Sequence, residues 1–153
     1  MKNDLICWDS SVLIDHIKGD DKDRIKNINM VVESMEQGRH RLVVSTLVYA
    51  EVLESAMPDG AIEKFRHFMQ NREKIEIVAV DIRVAEKAQA IRNRSRKSIS
   101  TPDAIHVATA IVSRAKVFHT FDKSLLSLNG KDVVEGLAIT ACEISGMSAS
   151  LFD

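Results

Sequence analysis

The stretch Ser100-Thr101-Pro102-Asp103-Ala104-Ile105-His106-Val107-Ala108-Thr109-Ala110 decides how the rest of the chain is read. Thr101 is a candidate helix cap, its hydroxyl accepting a free backbone N–H. Pro102 suits the first helical position, where its missing N–H had no partner in any case. The run that follows is almost all small or apolar, which predicts a buried helix. Asp103 sits at the mouth of that helix. The helix dipole alone favours a carboxylate there, so Asp103 acquires meaning only from the places of the other acids.

Working outward, residues 5–8 form a short continuous apolar run that ends in Asp9. Such a run suits a strand buried on both faces of a parallel sheet. Ser10 and Ser11 are expected to cap a helix reaching about Lys18, and residues 23–37 carry apolar side chains at helical spacing. Residues 41–45 are a β-branched second strand. Thr46 is then the expected cap of a helix over 47–57 that carries Glu51. After the turn Pro58-Asp59-Gly60, residues 61–72 are amphipathic, and residues 75–80 read as the third strand. Asp81 is expected to cap a helix running to about Arg94. Residues 92–97 read as a basic polar loop. Residues 117–121 make the fourth strand, ending in Asp122, and residues 137–141 the fifth. The tail from Gly146 has weak patterning. Strands separated by helices predict a parallel α/β sheet with right-handed crossovers. No repeat, low-complexity tract or linker divides the chain, so one domain over residues 1–153 is expected.

Composition narrows the function. A length of 153 residues allows one domain with a real core. Aromatic residues are only 5%, too few for a platform that stacks single-stranded bases. The net charge of −1 gives no global attraction to nucleic acid, so any such attraction must be local. Two cysteines without CxxC spacing argue for a reducing compartment and against a zinc knuckle or disulfide scaffold. No signal-like segment follows Met1 and no apolar run is long enough for a membrane span. A cytoplasmic protein is therefore expected.

In open α/β sheets, ligands bind beyond the carboxyl ends of the strands. Asp9 closes the first strand and Asp122 the fourth. Asp103 opens the helix feeding the fourth strand, and Glu51 lies about a turn into the helix after the second. Each also has a plainer role. Asp9 and Asp122 suit helix caps, and Glu51 shares a polar arc with Glu54 and Ser55, as a solvated glutamate would. If the four converge, they resist ionising together. A divalent cation removes that penalty, and an all-oxygen site suits Mg²⁺ or Mn²⁺ better than Zn²⁺. Such an ion acidifies a bound water and neutralises charge on a phosphodiester.

Trp8-Asp9-Ser10-Ser11, Tyr49-Ala50-Glu51, residues 101–110 and His119-Thr120-Phe121-Asp122-Lys123 come in an order that resembles the PIN-domain nucleases. Within them the chain is similar to the VapC-type toxins of toxin–antitoxin pairs. The resemblance implies a three-layer fold whose four or five parallel strands run in order 3-2-1-4-5 between helices. It implies a Mg²⁺- or Mn²⁺-dependent endoribonuclease, with a homodimer and a cognate antitoxin as expected partners. Carried over position by position, Asp9, Glu51, Asp103 and Asp122 match the family's acidic quartet. Asp9 and Asp103 would be the firmest metal ligands, with Glu51 and Asp122 on a second metal or acting through water. Ser10 and Thr120 match the small hydroxyl positions that support those acids.

Arg92, Arg94, Arg96 and Lys97 are a candidate basic rim for RNA phosphates. His106, one turn after Asp103, is expected to pack under the site, since no carboxylate partner is evident for it. His119 is given no role. Asp15, Asp81, Asp132 and Glu54 are set aside as a mid-helix acid, a cap, a loop acid and a surface neighbour of Glu51. The competing class is a catalytically silent PIN-like module that binds RNA or a protein partner. An aspartyl phosphatase would want an acid at Ser11. Glycine-loop nucleotide binding lacks both GxGxxG and GxxxxGK[ST], and a serine hydrolase lacks GxSxG.

Overall fold

A computed structural model describes residues 4–54, 56–96 and 98–143. Lys97, Ser55 and the tail from Gly146 lie outside the described residues, as does the side chain of Glu54. The strands are β1 (Asp4–Trp8), β2 (His40–Ser45), β3 (Ile75–Val78), β4 (Val117–His119) and β5 (Ala138–Thr140). All the pairings are parallel and the order is β3-β2-β1-β4-β5, as the resemblance implies. The helices are α1 (Ser10–Lys18), α2 (Lys22–Glu36), α3 (Leu47–Glu54), α4 (Ala61–Met69), α5 (Ile82–Arg94), α6 (Thr101–Val112) and α7 (Lys123–Leu126). No helix among the described residues is long and apolar enough to cross a membrane.

The central strands are apolar on both faces because both faces are covered. Ile6 and Trp8 of β1 point into a core shared with α1, α2, α3 and α4, while Cys7 points into a second core with α5 and α6. Leu42 and Val44 of β2 divide from Val43 in the same way. The period-two alternation of a strand thus builds three layers. Parallel pairing sets every strand's carboxyl end on one edge of the sheet, and that edge carries Asp9.

Several boundaries differ from the sequence expectation, each for a local reason. Asp9 itself caps α1, accepting from the backbone N–H of Val12, so Ser10 and Ser11 fall inside the helix. Ser45 caps the start of α3 by accepting from the Leu47 N–H, the part expected of Thr46. Ser100, not Thr101, caps α6, because Thr101 already lies in the helix. Helix α5 runs through Arg94, so Arg92 and Arg94 stand on a helix rather than in the basic loop. β3 ends two residues early, at Val78, and Asp81 caps α5 as expected. β4 ends at His119, although Thr120 continues the ladder with one bond to the Thr140 carbonyl. Cys7 and Cys142 are both free and buried.

Candidate catalytic site

Asp9 is held from two sides. Its Oδ1 accepts from the Ser11 hydroxyl at 2.6 Å and the Val12 N–H at 3.2 Å, while Oδ2 accepts from the Thr120 hydroxyl at 2.5 Å. The last bond joins the carboxyl end of β1 to that of β4. Only 3% of Asp9 is exposed. Burial pushes its carboxyl above the usual value, against the opposing pull of those donors and of His106. Thr120 and Ser11 are thus the two hydroxyls that donate to Asp9, while Ser10 lies near Glu51 and lowers its carboxyl.

Glu51 meets His106 across the sheet edge, with Nε2 of the imidazole 2.5 Å from Oε1. Burial alone would raise the Glu51 carboxyl, but His106 and the Ser10 hydroxyl outweigh it and hold it below its ordinary value. An ionised carboxylate only accepts, so Nε2 of His106 carries the hydrogen. Nδ1 on the other side of the ring is buried without a partner among the described residues. His106 does pack under the site, as expected, but it also has the carboxylate partner the sequence did not reveal.

Asp103 and its cap act on each other. Ser100 Oγ accepts from the Asp103 N–H at 3.3 Å, and its hydroxyl lowers the neighbouring Asp103 carboxyl. Burial raises the Asp103 carboxyl first. Asp122 and Glu51 raise it further by like-charge repulsion, against Ser100 and His106. Asp122 caps α7 through Oδ1, which takes the N–H and the hydroxyl of Ser124 at 2.8 and 2.6 Å. Its own N–H donates to the Thr120 hydroxyl at 3.0 Å. One threonine therefore ties Asp9 to Asp122.

His106 acts electrostatically on Asp9, Glu51 and Asp103, while Asp122 joins them through its repulsion of Asp103 and the Thr120 bridge to Asp9. Among the described residues, however, no three His, Cys, Asp or Glu side chains are drawn together tightly enough to hold a metal ion. The donor set is oxygen, the type hard divalent cations take. The like-charge repulsion that adds to burial at Asp103 is the kind a cation relieves, so the residue types suit such an ion although their spacing in this structure does not yet form a ligand group.

Other acids lie apart. Asp15 pairs with Arg24 at 3.0 Å, Asp81 caps α5 and Asp132 sits in a 3-10 turn. Arg92 is turned inward, its Nε donating to the Ile99 carbonyl at 3.0 Å, whereas Arg94 and Arg96 are exposed. His119 acquires a structural part: its Nδ1 accepts from the Trp8 indole at 3.2 Å, beneath Asp9. The residues sequence reasoning missed are Ser11 and the pairing role of His106. The signal for His106 was its place three residues after Asp103, on the same helix face.

The PIN domain family pattern matches residues 6–131. No curated protein matches the chain. Among solved structures, it is similar to VapBC2 from Rickettsia felis bound to a promoter DNA fragment, with a TM-score of 0.62 at 14% identity. That alignment covers 90% of this chain and 98% of the other. A toxin–antitoxin complex from Klebsiella pneumoniae gives 0.60 at 19% identity, covering 89% and 96%. FitAcB from Neisseria gonorrhoeae gives 0.61 at 15%, covering 88% and 95%. At these identities the likeness concerns the fold, and the fold agrees with the family pattern from β1 to the turn after α7. The chain belongs to the PIN domain family.

Proposed function

We propose that this protein is a metal-dependent endoribonuclease and the toxin of a toxin–antitoxin system. The observations that support the reading are the His106–Glu51 pair beside Asp9 and Asp103, and the Thr120 hydroxyl that bridges Asp9 to Asp122, all toward the carboxyl edge of the sheet. In this reading the whole chain is one cytoplasmic domain that pairs with itself and with an antitoxin. One similar solved structure, from Klebsiella pneumoniae, is a toxin–antitoxin complex, which supports the partner by analogy.

Asp9 and Asp103 would hold Mg²⁺ or Mn²⁺, with Glu51 and Asp122 beside them. A bound ion of this kind supplies an acidified water and charge neutralisation on the phosphodiester. The chain's own residues set the geometry. Ser11, Val12 and Thr120 fix both oxygens of Asp9. Asp122 keeps Oδ2 without a partner among the described residues, because its cap uses Oδ1. Glu51 is ionised, so it can accept a proton from an attacking water, and His106 keeps it in place.

The test is cleavage of matched, end-labelled RNA and DNA strands with Mg²⁺ or Mn²⁺, alongside Mn²⁺ titration by thermal melt. The wild type is expected to cut RNA, chelator to stop it, and Asp103→Asn to lose on the order of 10²-fold or more, the scale of one lost charge-stabilising group. Mn²⁺ is expected to raise the melting temperature of the wild type. Absence of both cleavage and a Mn²⁺ shift would sink the nuclease and leave a silent binding module.

A further inference from the structure

The basic residues near the site are divided by the fold. Arg92 is spent on a backbone carbonyl, but Arg94 and Arg96 line a cleft of about 350 Å³ together with Lys131. Lys131 comes from the turn after α7, and sequence reasoning did not group it with the arginines. The cleft lies between the α5–α6 connection and that turn. None of the three cations has an acidic partner among the described residues, whereas Lys87, Lys116 and Arg24 are each paired within 3.1 Å. Asp132 is the one carboxylate in the lining and is too far from them for an ion pair. Three serines in the lining have given their hydroxyl hydrogens to carbonyls: Ser95 to Ile91, Ser98 to Ser95 and Ser127 to Ser124. The charged side chains are therefore the donors left for a ligand.

Arg96, just past the C-cap of α5, takes the left-handed backbone in which helices commonly end, with φ of 53°. This turns the chain from α5 toward the cleft. The cleft also adjoins the acids in the chain. Ser98 precedes Asp103 by five residues, and Ser127 follows Asp122 by five. With a net charge of −1, the chain attracts a polyanion only through a local concentration of cations.

We infer that Arg94, Arg96 and Lys131 hold backbone phosphates of the RNA strand on one side of the bond that is cut. This rests on the reading that the acidic site cleaves RNA. Guanidinium groups are suited to phosphate through their paired donors, and the ammonium of Lys131 acts as a point charge. Such contacts position the strand and carry no base preference.

The test measures binding of a fluorescent single-stranded RNA by anisotropy, with Asp103→Asn in every protein to prevent cleavage. The cleft variant is Arg94→Ala/Arg96→Gly/Lys131→Ala, with glycine at 96 to suit the left-handed backbone. The control removes three arginines from the opposite edge of the sheet, Arg39→Ala/Arg72→Ala/Arg114→Gly. Between about 50 and 200 mM salt, losing three phosphate contacts should flatten the slope of log K against log salt by about 2, from ~0.7 per contact on a single strand. The control should keep the slope of the Asp103→Asn parent. An unchanged slope in a cleft variant that melts as the parent does overturns the inference, and so does an equal loss in the control. If the wild type still cuts RNA in that case, the nuclease reading stands and only the cleft fails. If the parent binds no RNA and the wild type cuts none, both fall.

Discussion

Thr120→Val replaces a buried hydroxyl with a methyl of the same shape and asks what that hydroxyl does. In the native chain it donates to Asp9 Oδ2 at 2.5 Å and accepts from the Asp122 N–H at 3.0 Å. The residue is fully buried, so water cannot replace either bond. A bond to a charged group contributes about 1.5–3 kcal/mol and a neutral one about 0.5–1.5 kcal/mol, so the expected loss is about 2–4 kcal/mol. For a chain of this size that corresponds to a fall in Tm of roughly 4–16 °C. The pH dependence is more diagnostic. Burial raises the Asp9 carboxyl in the folded state. The native state then holds that proton more tightly than the unfolded chain, and the associated stability is present at low pH and lost as pH rises through the folded value. Losing a donor to the charged form raises the carboxyl further. The deficit of Thr120→Val should therefore widen from pH 4 to pH 8 in chelator, while Thr120→Ser restores most of it. Thermal melts at the two pH values, with Mn²⁺ titration at the higher one, read this out. A deficit equal at both pH values, or no deficit, would refute the claim that this hydroxyl acts on an ionisable Asp9.

Asp9→Asn should raise Tm at neutral pH in chelator, because the amide keeps the shape and drops the buried charge, and it should abolish both cleavage and the Mn²⁺ shift. His106→Phe should lower activity on the order of 10–100-fold, the usual scale for a group that orients a site residue. His106→Gln, which retains a donor toward Glu51, should recover part of it; equal loss in both variants would assign His106 to packing alone. Urea midpoints should fall as pH drops from about 6.5 toward 4. Burial lowers His16 and His40 to about 4 and His119 to about 3, so folding favours their neutral forms and loses that preference as they charge. His40→Leu should flatten this acid-side fall, since both ring nitrogens of His40 are buried without partners.

The sheet was legible because each strand is a short apolar run and each helix a period near 3.6, and the two patterns alternate. The order 3-2-1-4-5 was not readable from periodicity; it came with the family resemblance. Caps were misread by one residue at Ser100 and Ser45, because Ser100-Thr101 and Ser45-Thr46 each offer two adjacent hydroxyls and only backbone geometry selects between them. Asp9 and Asp122 were legible as carboxylates at strand ends, whereas Asp103 and Glu51 were legible only as acids on helices. The pair His106–Glu51 was not, since it joins residues 55 apart in sequence. Nor was the grouping of Lys131 with Arg94 and Arg96, which depends on how the turn after α7 folds back toward α5.

Capping and a part in the proposed site had looked like rival explanations for these acids, and the geometry is compatible with both at once. Strand ends in a parallel sheet lead into helix starts, so an acid placed there meets free N–H groups. Asp9 and Asp122 both cap through Oδ1, and Asp103 is bound to the Ser100 cap of its own helix. The partial positive charge at the starts of α1 and α6 offsets part of the mutual repulsion, while α7, four residues long, adds little. Three of the acids are thus engaged at helix starts and Glu51 with His106, and among the described residues no three of them form a ligand group. Asp9, with both oxygens engaged, is the fixed point. Asp122, with Oδ2 unengaged among the described residues, has the freedom to approach it. In the proposed metal-dependent reading, an ion that drew these acids together would work against the caps, which favours a small, highly charged cation over a monovalent one.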